Sequence, residues 1–401
     1  MRVVILHNDL RVYWKGRIKY LREFLEAHSI TLYSIELFGK GSPYAFDTHN
    51  DQHQWWSCLF PNKSSNELSK ETIAKVLFET LDKIKPDIVI GPSIVFYAGA
   101  LGIRWAKNNK KRFIMFDDAK PWQVKRNFFV QWVKNLITSQ ADAFWLPSVD
   151  YEKEYSHFLK KDVLFFYGLN SIDNNFFTPE DKKEFGHKSI ICVARLVPVK
   201  NIDNLLRAWH LVEKTGTGFK LNIVGDGPEY DSLSTMVVDL GLTTVVFPGA
   251  VANTVLPSLL FNSDAFILPS ISEAWGLVVN EAMAAGLPIL LSNKINSTVS
   301  LLQENINGFS FNPKNVNQMA DVILKYINLS NEAKGAMSVK SLEIIDAFSY
   351  ENMGIKLLEA IHKITSQQPK KINLPARIII NKWYGRYDTT SWDTLQQAPS
   401  N

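Results

Sequence analysis

Short apolar runs rich in β-branched residues alternate with stretches of helical spacing along this chain, and that alternation restricts the fold more than any other feature. Arg2–His7 (RVVILH) is such a run, and Ile18, Leu21, Phe24 and Leu25 after it are spaced for one face of a helix. Thr31–Leu37, Asp87–Ile90, Arg112–Phe116 and Ala143–Leu146 repeat the strand signal, each near a helical stretch. Runs that are apolar throughout suit strands covered on both faces, the habit of parallel sheets. The rhythm restarts after Asn170–Pro179 (NSIDNNFFTP) and the charged Glu180–His187, which read as an exposed linker. Further strands are predicted at Ser189–Ala194, Lys220–Val224, Thr244–Phe247, Ala265–Leu268 and Pro288–Leu291. A chain of 401 residues is long for one domain. The expected fold is therefore α/β, with two doubly wound parallel-sheet, Rossmann-like domains facing a cleft. Their expected extents are residues 1–175 and 176–350, with residues 351–401 a helix and tail returning towards the first domain. After Gln367 the tail reads as polar and surface-bound.

Composition excludes several classes. A hydrophobic fraction of 46% and a charged fraction of 21% are those of an ordinary globular protein. A net charge of +4 is too small to argue for nucleic acid. Cys58 and Cys192 are the only cysteines, which excludes a disulfide framework or a multi-cysteine zinc site and fits a reducing compartment. The apolar run ahead of His7, Asn8 and Asp9 is too short for a secretory signal, and no stretch reaches the ~18 apolar residues of a membrane span. The expectation is a cytoplasmic protein, with attachment to the membrane surface left open.

The most informative segment is Pro269–Pro288, PSISEAWGLVVNEAMAAGLP. A strand ends at Leu268, a loop carries Glu273, and a helix starts near Gly276 with Glu281 in its second turn. A glycine at a helix start lets a ligand approach the free amides, and the helix dipole favours a diphosphate there. Glu273 is placed to reach sugar hydroxyls and Glu281 to accept from paired ribose hydroxyls. Read alone, Glu273 is equally well a loop charge and Glu281 a solvated helix residue. Arg195 and Lys200 in ARLVPVK follow the strand SIICV, where two cations suit a diphosphate leaving group. In VGDGP, Gly225 and Gly227 end a strand and open a helix, as a close backbone approach requires.

In combination, SIICVARLVPVKNIDNLLRAW, LNIVGDGPEYDSL, VVFPGAV and FILPSISEAWGLVVNEAMAAGLP resemble glycosyltransferase family 4, the retaining GT-B enzymes, over about residues 165–350. Glu273 and Glu281 match that family's paired-glutamate motif, and Arg195 and Lys200 match the positions that hold the donor diphosphate. Val245–Val251 resembles the loop whose backbone reads the base, so Val251 and Gly225 join Gly276 and Leu277 as expected donor contacts. The linker departs from the family pattern in reading GLNSID. The resemblance implies a nucleotide-sugar donor in the second domain and an acceptor mainly in the first. It also implies retention of configuration by front-face substitution, and no catalytic metal or other cofactor.

In the first half, Gly16 (YWKGR) lies where the family has a glycine loop near the donor phosphates, although only one glycine is present. Asp117 and Asp118 in FDDAKPW lie just past a strand end, and Asp118 is the expected contact to the transferred sugar or acceptor. His7, at the end of the first strand, either lines the cleft or, the favoured reading, is a satisfied structural histidine. From Arg104 to Lys134 there are nine Lys or Arg and only Asp117 and Asp118 as acids, interleaved with Trp105, Trp122, Phe128, Phe129 and Trp132. Phe129, Trp132, Val133 and Leu136 form a helical stripe with Lys125 and Arg126 near its start. That pattern suits either an interfacial helix on an anionic leaflet or an apolar stripe in the core. Trp55, Trp56 and Phe60 extend the same surface or fill the core. No RNA-binding motif accompanies the basic residues.

The expected function is transfer from a nucleotide-diphosphate sugar, UDP favoured, to a glycan or lipid-linked saccharide in cell-surface polysaccharide assembly. One alternative is a non-catalytic GT-B-fold partner that binds a nucleotide sugar for another transferase. A dinucleotide oxidoreductase is disfavoured, because no G-x-G-x-x-G follows any predicted strand and VGDGPEY comes nearest.

Overall fold

The computed structural model describes residues 1–10, 13–40, 55–118, 120, 127–159, 163–179 and 183–385. Two compact units emerge. One comprises Met1–Asn170 with the chain from Tyr350 onward, and the other is Ser171–Ser349.

The first unit is built on seven parallel strands: β1 (Arg2–His7), β2 (Thr31–Phe38), β3 (Trp56–Phe60), β4 (Ile88–Pro92), β5 (Arg112–Phe116), β6 (Ala143–Trp145) and β7 (Leu164–Phe166). Their spatial order is β3-β2-β1-β4-β5-β6-β7. Val3, Val4, Ile5 and Leu6 in β1 are fully buried, as an inner strand of a sheet covered on both faces requires. Helix Tyr13–Ala27 turns Trp14, Ile18, Leu21 and Leu25 onto that sheet, and helix Tyr350–Thr365 packs beside it through Met353, Leu357 and Ile361.

The second unit has six parallel strands: β8 (Ser189–Val193), β9 (Lys220–Val224), β10 (Val245–Gly249), β11 (Ala265–Leu268), β12 (Ile289–Ser292) and β13 (Gly308–Phe311). Their order is β10-β9-β8-β11-β12-β13. Helix Ile202–Glu213 buries Ile202, Leu205, Leu206, Trp209 and Val212 against it, and Trp209 Nε1 donates to Thr244 Oγ1 at 2.9 Å. Both sheets change direction of winding beside their first strand, at β1/β4 and at β8/β11. In open α/β sheets, ligands bind beyond the carboxyl ends of strands at such a switch point.

Three features differ from the sequence expectation. Strands β3, β7 and β13 are additional, and all three are sheet edges. WSCLF and GFSF are interrupted by Ser57 and Ser310 and LFF spans only three residues, so each is a weaker strand signal than the predicted runs. The stretch 180–187 does not behave as a free linker where it is described. Gly186 and His187 donate backbone N–H groups to Asp264 Oδ1 at 3.0 and 3.3 Å, and Lys183 Nζ bonds the carbonyls of Leu260 and Phe261 at the end of helix Leu256–Phe261. Buried Asp264 tethers the backbone of this stretch, while Glu184, Gly186 and His187 are exposed as the sequence suggests. The tail after Gln367 contains a helix, Leu374–Lys382, begun by Asn373 Oδ1 accepting from Ala376 N–H at 2.8 Å.

Candidate active site

The loops beyond β8 and β11 are laced together. Ala194 N–H reaches Val224 O at 3.0 Å and Leu196 N–H reaches Asp226 O at 2.9 Å, which ties the loop after β8 to the one after β9. Gly225 N–H continues the series to Gly249 O at 2.9 Å, just ahead of half-buried Val251. Gly225 has φ +139°, and a Cβ there would run into the carbonyl oxygen of Ala194. That contact sits beside half-buried Arg195, so the glycine sets how closely the two loops approach.

Ile271 N–H donates to Val199 O at 2.9 Å, joining the loop after β11 to the short turn Pro198–Lys200. Here the Lys200 ammonium pairs with the Glu273 carboxylate, both side chains being largely buried yet still accessible. On its far side the Glu273 backbone bridges to Ile295, and Asn296 N–H donates to Glu273 O at 3.2 Å. Trp275 is buried, with Nε1 donating to Asn280 Oδ1 at 2.9 Å, and its carbonyl accepts from Ser297 Oγ at 2.5 Å. The loop that carries Glu273 is thus held from both sides.

Gly276 caps helix Leu277–Ala284 with φ +86°, and its missing Cβ faces Glu273 Cγ at 3.1 Å. The free amides of that helix therefore open beside the Lys200–Glu273 pair. Glu281 is buried, not a solvated helix residue. A carboxylate is withdrawn from water only where polar partners compensate, which suits an acceptor of paired hydroxyls. Arg195, Lys200, Glu273, Gly276, Leu277, Glu281, Gly225 and Val251 all belong to the second unit, and the contacts above connect its strand-end loops. The neighbouring Cys192 is not a nucleophile: complete burial pushes its thiol up to about 12.

Asn201 was not singled out by the sequence reading. It follows Lys200 directly, adopts the left-handed conformation (φ 59°) and is buried. Its Nδ2 donates to Pro269 O at 3.1 Å and Pro313 O at 2.8 Å, joining the loops after β8, β11 and β13. An Asn between a cation and a helix start is a sequence signal for this geometry, since Asn tolerates the left-handed region.

Gly16, Asp118 and His7 belong to the first unit. Gly16 lies in the first turn of helix Tyr13–Ala27, where a Cβ would meet the Tyr350 hydroxyl, so packing gives this glycine a reason of its own. Asp118 is exposed beyond β5, whereas Asp117 accepts from the Tyr155 hydroxyl at 2.8 Å. Arg17, also unremarked in the sequence, is buried next to Gly16; desolvation lowers its pKa, against the opposing pull of Tyr350, Asp118 and Tyr13. His7 Nδ1 accepts from Asp9 N–H at 2.9 Å, and the ring stacks on Phe116 with centroids 5.6 Å apart. Burial brings its pKa down to about 4, so the ring is neutral near pH 7.

Residues 174–341 match the family model described as glycosyl transferases group 1. A GDP-mannose-dependent alpha-(1-6)-phosphatidylinositol monomannoside mannosyltransferase of Mycobacterium tuberculosis is 28% identical over 180 residues, 43% of this chain and 46% of that protein. A poly(ribitol-phosphate) alpha-N-acetylglucosaminyltransferase of Staphylococcus aureus is 30% identical over 176 residues, 43% of this chain and 34% of that one. The chain thus spans less than half the length of these curated relatives. Among solved structures, sucrose-phosphate synthase from Thermosynechococcus elongatus has a TM-score of 0.72 at 16% identity, covering 91% of this chain and 99% of that one. HepE of Anabaena, solved in complex with UDP, has a TM-score of 0.71 at 16% identity, covering 90% and 100%. These likenesses establish the GT-B fold. Over residues 174–341, less than half of its length, this chain is similar to the glycosyl transferases group 1 family.

Proposed function

We propose that the chain is a retaining glycosyltransferase that moves a sugar from a nucleoside-diphosphate sugar to a glycan or lipid-linked saccharide. The observation that carries this reading is the Lys200–Glu273 pair beside the open amides after Gly276, at the switch point between β8 and β11. In the proposal Arg195, Lys200 and the amides of Gly276 and Leu277 hold the diphosphate. Glu281 accepts the ribose hydroxyls, and the backbone around Gly225 and Val251 meets the base. Glu273 orients the donor sugar; Asp118 serves the transferred sugar or acceptor, and the Gly16 loop the donor phosphates. As the bond from C1 to phosphate breaks, negative charge develops on the departing oxygen, where preorganised cations and amides stabilise it most. The acceptor oxygen bonds to C1 on the same face and passes its proton to the leaving phosphate. Protein cations supply the charge a metal would otherwise provide, so the proposal includes no metal or other cofactor.

UDP is the favoured donor nucleotide, in line with the one bound to HepE, while GDP belongs in any test because the mycobacterial relative is named for it. Relatives named for phosphatidylinositol monomannoside and poly(ribitol-phosphate) acceptors are in line with the proposed role in cell-surface polysaccharide assembly at the cytoplasmic face of the membrane.

A thermal-shift panel of nucleotide sugars identifies the donor, since a ligand bound only to the folded state raises its stability. With that donor, Lys200→Ala lowers transfer by roughly 10²–10³-fold, Glu273→Ala abolishes it, and a chelator leaves the wild type unchanged. Unchanged turnover of Glu273→Ala overturns the site assignment. A donor-induced shift with neither hydrolysis nor transfer to any acceptor favours the non-catalytic partner instead.

A further inference from the structure

Helix Phe128–Thr138 packs against helix Leu374–Lys382, although their sequences are far apart. Each keeps one face inside: Ile137 and Thr138 on the first, Ala376 and Ile380 on the second. Their other faces are apolar and open. Phe128, Phe129 and Trp132 are 78%, 73% and 50% exposed, and Leu374 and Ile378 are 71% and 53% exposed. Elsewhere among the described residues of this unit, exposed large apolar side chains occur singly, at Met1, Val149 and Ile355. The second helix is held in place by Asn108 Nδ2 donating to Asn381 Oδ1 at 2.8 Å and by Trp383 Nε1 donating to Ile94 O at 2.7 Å.

Within the two sequence segments that carry these faces, the charges have one sign. No Asp or Glu occurs between Asp118 and Asp142, or between Glu359 and Asp388. Lys134 is buried, and Lys120 is engaged with Asp150, so the first helix contributes aromatic rings more than free cations. Lys125 and Arg126, which the sequence suggested as its charges, lie outside the described residues. The exposed cations come from the C-terminal segment instead: Lys363, Lys371, Arg377 and Lys382.

We propose that these two helices form one docking surface for an anionic lipid bilayer, one giving the aromatic wedge and the other the charge. Trp and Phe sit well at the level of the headgroups, and exposed Lys and Arg are attracted to an anionic leaflet. Leu374 and Ile378 offer nothing to a nucleic-acid backbone, which disfavours RNA as the occupant. The inference deepens the reading of a lipid-linked acceptor but is measured without transfer, so either can fail alone.

The test is co-sedimentation of the full chain with vesicles of phosphatidylcholine, with or without about one-third phosphatidylglycerol. The wild type binds the anionic vesicles, less so as salt rises. Lys371→Ala, Arg377→Ala and Lys382→Ala combined lower that partition by about fivefold per cation, the equivalent of ~1 kcal/mol each. Phe128→Ser, Phe129→Ser and Trp132→Ser combined lower it by at least about tenfold. Leu374→Ser with Ile378→Ser repeats the loss from the second helix. All three variants keep the wild-type melting temperature, because the altered side chains are exposed. Equal binding to neutral and anionic vesicles, or wild-type partition of both the aromatic and the cation variants, overturns the proposal. So does self-association in lipid-free buffer that these variants abolish, which makes a second copy the occupant.

Discussion

In both sheets the winding reverses beside the first strand, with β1 between β2 and β4, and β8 between β9 and β11. The crevice beyond β8 is lined with accessible charge on loops that bond to one another. Beyond β1, a neutral histidine packs among Trp14 and Phe116, with Arg17 buried nearby. The same wiring therefore supplies the place in each unit, while loop chemistry decides what the place can do. It also makes the two strand-end regions differ in how they tolerate change.

The widest difference is expected at two glycines. Gly225→Ala sets a Cβ against a backbone carbonyl at a φ that side chains avoid, so unfolding in urea should show a loss of about 3–5 kcal/mol. Gly16→Ala meets only the hydroxyl end of Tyr350, which can yield, and should cost about 1 kcal/mol. Gly16→Ala combined with Tyr350→Phe should recover most of that. Equal losses at the two glycines would break the contrast between a backbone-laced crevice and a side-chain-packed one.

A smaller effect sharpens it further. Asn201→Gly keeps the left-handed backbone but leaves two buried carbonyls without their donor, an expected loss of about 2 kcal/mol. Asn201→Ala loses the same bonds and adds left-handed strain, for about 3 kcal/mol in total. If the alanine variant is no worse than the glycine one, the conformation at 201 is not what the site requires.

These particulars also explain what was legible in advance. Arg195, Lys200, Glu273 and Glu281 lie just past strand ends or in a helix that periodicity finds, so their placement is legible locally. The roles given to them rest on the resemblance to the family. The central strands were readable because burial on both faces makes them largely apolar, whereas β3 and β13 are broken by Ser57 and Ser310 and β7 is only three residues long. For Asn201 the sequence signals only the left-handed backbone; the bonds of its side-chain amide reach residues 68 and 112 positions away, which no local pattern encodes. Helix Leu374–Lys382 escaped the sequence reading for the opposite reason: its exposed Leu374 and Ile378 contradict the rule that apolar positions mark a buried face.

The last difference is one of protonation. His7 Nδ1 can accept from Asp9 N–H only while that nitrogen is unprotonated, and burial holds the folded-state pKa at about 4 against an ordinary value of 6.5. Between those values the unfolded chain binds the proton more readily than the folded one. Stability of the first unit therefore falls as pH drops from about 6.5 towards 4, and His7 adds no slope above that window. Across the whole window the loss reaches at most roughly 3 kcal/mol. His7→Asn retains a side-chain acceptor for Asp9 N–H and carries no titrating group. Urea unfolding of both proteins across this window isolates the histidine, because every carboxylate that also titrates is common to the two. The variant's stability should decline less steeply with falling pH, with the gap opening below about pH 6. Parallel declines would mean that His7 is protonated in the folded unit at no cost, and that its stacking on Phe116 does not depend on a neutral ring.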